Sequence, residues 1–185
     1  MMAGIFFIPL AFLVLVGLYL WSLYNGLVTQ KLRIDEAWAQ IDVQLKRRAD
    51  LIPNLVETVL GYAKHEKEVF ENVTKARSAL VSATTPGAKA AANDMLSGAL
   101  KSLFAVAEAY PKLEAAENFK QFQAEYTDTE DKVAYSRQFY NNTVMDFNTS
   151  LKVFQNVILA PVFGFKEVEF FKAGEVDRES VKVAF

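Results

Sequence analysis

Residues 118–158, NFKQFQAEYTDTEDKVAYSRQFYNNTVMDFNTSLKVFQNVI, decide the fold class. Phe119, Phe122, Tyr126, Thr129, Val133, Ser136, Tyr140, Val144, Phe147, Leu151, Phe154 and Ile158 recur in steps of 3, 4, 3, 4, 3, 4, 4, 3, 4, 3 and 4. This is a heptad seam with one added four-residue step near Tyr140. A strand alternates its faces every second residue and cannot produce that spacing over forty positions. The reading is one long amphipathic helix reaching Ile158.

The same spacing extends toward the N-terminus. Leu27, Ile34, Trp38, Ile41, Leu45 and Ile52 keep multiples of the 3/4 step. A second run passes through Leu55, Val59, Tyr62, Val69 or Phe70, Val73 and Leu80, and another, from Ala88 to Ala109, carries Met95, Leu96, Leu100, Leu103 and Val106. Thr84-Thr85-Pro86-Gly87 reads as a turn and Tyr110-Pro111 as a helix end, because proline pushes the residue before it out of the α region. Asp50-Leu51-Ile52-Pro53 leaves two options, a new helix start or a kink in one rod. Helices joined by short connections pack antiparallel, so residues 26–158 are expected to form an up-and-down four-helix bundle. The fold class is all-α.

The N-terminus follows a different rule. Residues 5–24, IFFIPLAFLVLVGLYLWSLY, are almost wholly apolar, and no Lys, Arg, Asp or Glu precedes Lys31. Twenty residues at about 1.5 Å each span roughly 30 Å, the thickness of a bilayer's hydrocarbon core. Tyr19, Trp21 and Tyr24 crowd one end, where amphipathic rings sit at headgroup level. A cleaved signal peptide would want a basic start and small residues before the cut. A buried core helix would have to hide apolar surface all round. Residues 1–25 are therefore read as an uncleaved transmembrane anchor. Lys31 and Arg33 follow the span and no base precedes it, which favours a short N-terminus outside and a cytoplasmic bundle over the reverse.

Composition excludes much of the usual chemistry. The chain has 185 residues, a net charge of −2, no cysteine and one histidine. Thiolate zinc sites, disulfides and cysteine nucleophiles are impossible, and a nucleic-acid binder would show a basic excess. His65, among Lys64, Glu66, Lys67 and Glu68, reads as solvated helix surface. A di-iron bundle needs two Glu-x-x-His pairs, and Tyr62 stands three before His65. Glu66 and Glu68, and Asp128, Glu130 and Asp131, lie in exposed charge runs, and the glycines form no phosphate loop. No catalytic residue, metal or cofactor is expected. Lys46-Arg47-Arg48 reads as solvated surface, with contact to lipid headgroups or an acidic partner as the alternative. Asn25, Asn54, Asn118, Asn141 and Asn148 border seam residues, where amides more often fix register or satisfy a chain break than bind a ligand.

Residues 159–185 form an aromatic-rich tail, with Phe163, Phe165, Phe170 and Phe171 and the closing run Val181-Lys182-Val183-Ala184-Phe185. Apolar area of this size is expected to return and cover the helices, and a partner-binding peptide is the alternative.

An ordered set of motifs carries a resemblance. Tyr24-Asn25-Gly26-Leu27-Val28, Ala37-Trp38-Ala39-Gln40-Ile41-Asp42-Val43-Gln44-Leu45-Lys46-Arg47-Arg48, Asp50-Leu51-Ile52-Pro53-Asn54-Leu55-Val56-Glu57-Thr58-Val59 and Gly61-Tyr62-Ala63-Lys64-His65-Glu66 come first. Glu108-Ala109-Tyr110-Pro111, Glu117-Asn118-Phe119, Thr129-Glu130, Arg137-Gln138-Phe139-Tyr140-Asn141 and Phe147-Asn148 follow. From about Tyr24 to Phe171 the chain resembles the LemA family of bacterial membrane proteins, with Ala49 where an aromatic such as Tyr is expected. The resemblance implies one N-terminal transmembrane helix, a small outside N-terminus and a helical-bundle domain, and it supplies no catalytic residues. Some members of that family are linked to membrane-compartment biogenesis and others are encoded near membrane metalloproteases. The expected function is a membrane-anchored helical scaffold or adaptor, whose partners are the lipid bilayer, an unidentified protein and a second copy of the chain. The alternatives are an accessory subunit of a membrane enzyme such as a protease or transporter and, least favoured, an enzyme in its own right.

Overall fold

A continuous helix, α1 (Met2–Leu60), runs from the apolar N-terminus through the Asp50–Pro53 segment without a break. The computed structural model describes residues 2–172, with side chains from Phe7 onward; the closing run at 181–185 lies outside the described residues. After α1 come α2 (Lys67–Ser82), α3 (Pro86–Glu108), α4 (Pro111–Glu114), α5 (Glu117–Lys152) and α6 (Asn156–Val162). The described residues are helical with no strand.

Pro53 is tolerated inside α1 for a local reason. Proline has no N–H, so the carbonyl four residues earlier loses its helical donor. That carbonyl belongs to Ala49, and Arg77 Nε on α2 donates to it at 2.9 Å. Ala49 itself is buried. The choice between break and kink is thereby resolved in favour of one uninterrupted helix, with the freed acceptor taken by a side chain.

Punctuation elsewhere follows the expected residues. Thr85 caps α3 by accepting from the Ala88 N–H, and Pro86 takes the first helical position. Pro111 opens α4 directly after Tyr110.

The chain divides into two units. One comprises residues 1–37 and 142–168, the other residues 38–141 and 169–185. In the second unit Ile41, Leu45, Ile52, Leu55 and Val59 of α1 are buried, with Phe70, Val73, Ala76 and Leu80 of α2, Leu96, Leu100, Leu103 and Ala107 of α3, and Phe119, Tyr126, Val133 and Tyr140 of α5. In the first unit Leu27, Ile34, Ala37, Val144, Phe147, Leu151 and Ala160 are buried.

Four seam assignments need correction. Phe154 and Ile158 continue the 3/4 spacing but are exposed, because α5 stops at Lys152. Asn156 Nδ2 donates to the Ser150 carbonyl at 2.6 Å, and Ser150 Oγ donates to Gln30 Oε1, so the helix end has its own partners. Tyr62 is exposed in the turn after α1, where Ala63 is buried instead. Met95 lies beside the buried stripe that runs through Ala92, Leu96, Leu100, Leu103 and Ala107. His65 also sits in the turn between α1 and α2, exposed, rather than on a helix face.

The described part of the tail packs through two asparagines of α5. In the first unit Asn148 takes both backbone groups of Val168: its Nδ2 donates to the carbonyl and its Oδ1 accepts from the N–H, each at 2.9 Å. In the second unit Asn141 treats Phe171 identically, again at 2.9 Å for both bonds. An extended chain with no neighbouring strand would otherwise leave these groups unpaired, so the amides act as the missing ladder. Phe171 is buried and the Tyr140 hydroxyl donates to the Glu169 carbonyl.

Candidate functional site

The first feature with functional meaning is the start of α1. Every side chain from Phe7 to Tyr19 is exposed, and this stretch belongs to the one described helix long and apolar enough to cross a membrane. A helix that is apolar all round and covered by no protein has found no partner in water. Tyr19, Trp21 and Tyr24 are exposed at its C-terminal end. Tyr24 is also packed by two rings of its own unit, Phe163 edge-on at 5.4 Å and Phe165 at 5.8 Å between centroids.

The second feature was not visible as such in the basic triplet. Lys46 is exposed and paired with Asp50, and Arg47 is half-exposed and paired with Asp128 at 3.5 Å. Arg48 is 1% exposed, so the solvated-surface reading does not hold for it, and its enclosed guanidinium is not offered to lipid or to an external partner. The signal was the seam itself: Ile41, Leu45, Arg48 and Ile52 are spaced 4, 3 and 4, which puts Arg48 on the buried stripe.

Arg48 joins three helices within the second unit. Its Nη1 donates to Asn93 Oδ1 of α3 at 2.7 Å, and Nη2 donates to Ser97 Oγ of α3 at 2.9 Å and to the Tyr126 hydroxyl of α5. Glu130 Oε1 lies 3.7 Å from Nη2, and the guanidinium carbon stands 5.1 Å from the centre of the Tyr126 ring. A planar fork with several donors suits this task better than a lysine point charge. A buried cation costs several kcal/mol unless hydrogen bonds and an opposite charge offset it. Burial pushes the Tyr126 phenol above its ordinary value of 10.0 despite the opposing pull of Arg48, so it stays protonated and serves as an acceptor. At the rim, Asp128 accepts from Lys132, and that hydrogen bond holds its carboxyl below the ordinary 3.8.

Beside this cluster is a cleft of about 240 Å³, lined by Arg48, Asn93, Ser97, Lys101, Glu130 and Arg137 among others. Arg48 Nε and, one turn earlier on α1, Gln44 Oε1 are buried atoms without a protein partner. Asn93, Ser97 and Tyr126 present acceptors to the Arg48 guanidinium, and the Glu130 carboxylate lies within ion-pair distance of it. Among the described residues no three His, Asp or Glu side chains converge to hold a metal.

Comparison with known proteins places most of the chain, from residue 37 onward, in one family. The model of the LemA family matches residues 37–185. Protein LemA of Metamycoplasma hominis is 28% identical over 95% of this chain and 82% of its own length. Magnetosome protein MamQ of Magnetospirillum gryphiswaldense is 26% identical over 80% of this chain, and MamQ 2 of Paramagnetospirillum magneticum 25% identical over the same share. This chain spans 64% of the length of each MamQ protein. With the family model covering most of the chain, including the Arg48 cluster and the tail, this protein belongs to the LemA family.

Proposed function

We propose that the chain is a membrane-anchored helical scaffold or adaptor without catalysis of its own. One observation carries this reading: the exposed apolar stretch at the start of α1 leads, within the same helix, into a stripe-packed segment fixed by a buried arginine. Residues 38–141 then act as an antiparallel four-helix bundle, a rigid body suited to contacts with a second copy or another protein. Lys31 and Arg33, the first charges after the span, support a cytoplasmic bundle and an outside N-terminus.

Purification of the full chain in mild detergent, followed by light scattering and quantitative mass spectrometry, tests the proposal. A homo-oligomer, or a reproducible complex whose partner is not an enzyme, is the expected result. A fixed-stoichiometry complex with a membrane protease or transporter would replace the scaffold reading with that of an accessory subunit.

A further inference from the structure

Helix α6 and its flanks are apolar on both faces. Ala160 is buried and Leu159 and Phe163 are half-buried, whereas Phe154, Val157, Ile158 and Val162 face outward, with Phe154 80% and Val162 77% exposed. No charged residue occurs between Lys152 and Lys166. A cluster of large apolar side chains with no charge among them marks an interaction site.

The position of this patch within its unit selects the occupant. Asn156, the first residue of α6, shares a groove with Tyr19, Ser22 and Leu23 of α1. Phe163 and Phe165 pack on Tyr24, which fixes the far end of α6 to the same part of α1. Gly164, at φ +81°, makes that return possible. It ends α6 in a Schellman turn, with the Phe165 N–H on the Ala160 carbonyl and its own N–H on the Pro161 carbonyl. The patch therefore stands beside the aromatic end of the apolar span. Lys152, which bounds it on one side, pairs with Glu167 at 3.1 Å, and both are exposed. From Tyr24 to Lys31 α1 rises only about 10 Å, so the patch is level with the headgroup region that an anchored α1 would cross.

We propose that the outward face of α6 inserts into the headgroup–acyl boundary of the bilayer that α1 spans, giving the protein a second, monotopic membrane contact. Phe154, Val157, Ile158 and Val162 form the inserted surface, as in interfacial helices whose apolar face lies about 5–10 Å deep. This inference rests on the reading of α1 as a membrane anchor. Its occupant is lipid because the patch continues the Tyr19 and Tyr24 belt.

The chain has no cysteine, so single reporters can be placed without background. Full-length Phe154→Cys, Ile158→Cys and Val162→Cys variants, each carrying an environment-sensitive fluorophore, are reconstituted in phosphatidylcholine vesicles. Leu13→Cys reports on the anchor and Lys67→Cys on a water-facing site. The α6 labels should be quenched several-fold more by shallow nitroxide lipids than by aqueous iodide, with Leu13→Cys quenched by deep nitroxides and Lys67→Cys by iodide alone. A deep Leu13 label with α6 labels open to iodide would overturn the α6 inference and leave the anchor standing. α6 labels shielded from both quenchers would mean a protein partner or second copy covers the patch, and would also overturn it. A Leu13 label quenched by iodide would overturn the anchor, and the α6 inference with it. Three reporter positions keep the test decisive if one variant misfolds.

Discussion

The early and late parts of α1 are made from similar apolar residues and behave in opposite ways. From Phe7 to Tyr19 every side chain is exposed, although almost all are apolar. From Ile34 to Val59 only one stripe is buried, and Lys46, Arg47, Asp50 and Glu57 occupy the other side. A stripe implies an aqueous side and a protein side. A helix apolar all round implies a single surrounding medium that is itself apolar. The difference lies in how apolar residues are distributed around the axis, which matters more than how many there are.

Removal of the apolar first part of α1 should have the largest effect. Deleting residues 1–24 should move the protein from alkali-washed membranes to the soluble fraction while far-ultraviolet circular dichroism still reports helix. An insoluble or unfolded product would mean that the apolar stretch belongs to the protein core. Weak residual binding to vesicles, abolished by Phe154→Asp, is expected from the α6 surface.

Next in size are substitutions that separate stripe from surface. Phe147 is buried in the first unit and Asp146, its neighbour, is exposed. Phe147→Ala should cost about 3–5 kcal/mol through lost transfer energy and the cavity left behind. Asp146→Ala should change stability by about 0.5 kcal/mol or less, as surface changes do. Chemical denaturation followed by circular dichroism measures both, and equal effects would show that the register of α5 is wrong.

The basic triplet offers a sharper contrast, because its members differ in little but angle around α1. Arg48→Ala takes the shared donor away from Asn93, Ser97 and Tyr126, and should cost about 1–3 kcal/mol, as leaving buried polar groups unsatisfied does. Lys46→Ala loses one exposed i,i+4 pair and should cost about 0.5 kcal/mol or less. A small effect at Arg48 would show that the cluster contributes nothing to holding α1, α3 and α5 together.

The smallest expected effect depends on pH. Because burial raises the Tyr126 phenol, the folded chain keeps its proton after the unfolded chain has released it. Stability from this group is complete below pH 10.0 and falls as pH rises past it. Melting temperature followed across that range should decline, and Tyr126→Phe should flatten the decline. An unchanged slope would place the phenol in contact with water.

Much of this was legible in residue order. The seam from Phe119 to Leu151 is buried almost throughout, and the turns at Pro86 and Pro111 fall where those prolines require them. Arg48 was equally legible by its spacing from Leu45 and Ile52, but a charged side chain on a seam is normally set aside because burying it is costly. Only the partners that offset the cost reveal that it is inside, and Asn93, Ser97 and Tyr126 lie 45, 49 and 78 positions away. The outward turn of Phe154 and Ile158 was hidden for a related reason. Periodicity says which side chains would share a face if a helix continues, but it does not say where the helix stops.

Residue order alone sets the helical class, the uncharged span before Lys31 and the stripes that must be buried, because these depend on local order and on the roughly 100° step between neighbours along a helix. Tertiary structure decided which polar groups went inside and how the chain returned. Arg77 took the carbonyl freed by Pro53, Arg48 found acceptors on two other helices, and Asn141 and Asn148 took up the backbone of the tail. Each of these is a donor meeting an acceptor distant in sequence. Such pairings are set by distance in space once the helices have packed, and residue order alone does not carry that distance.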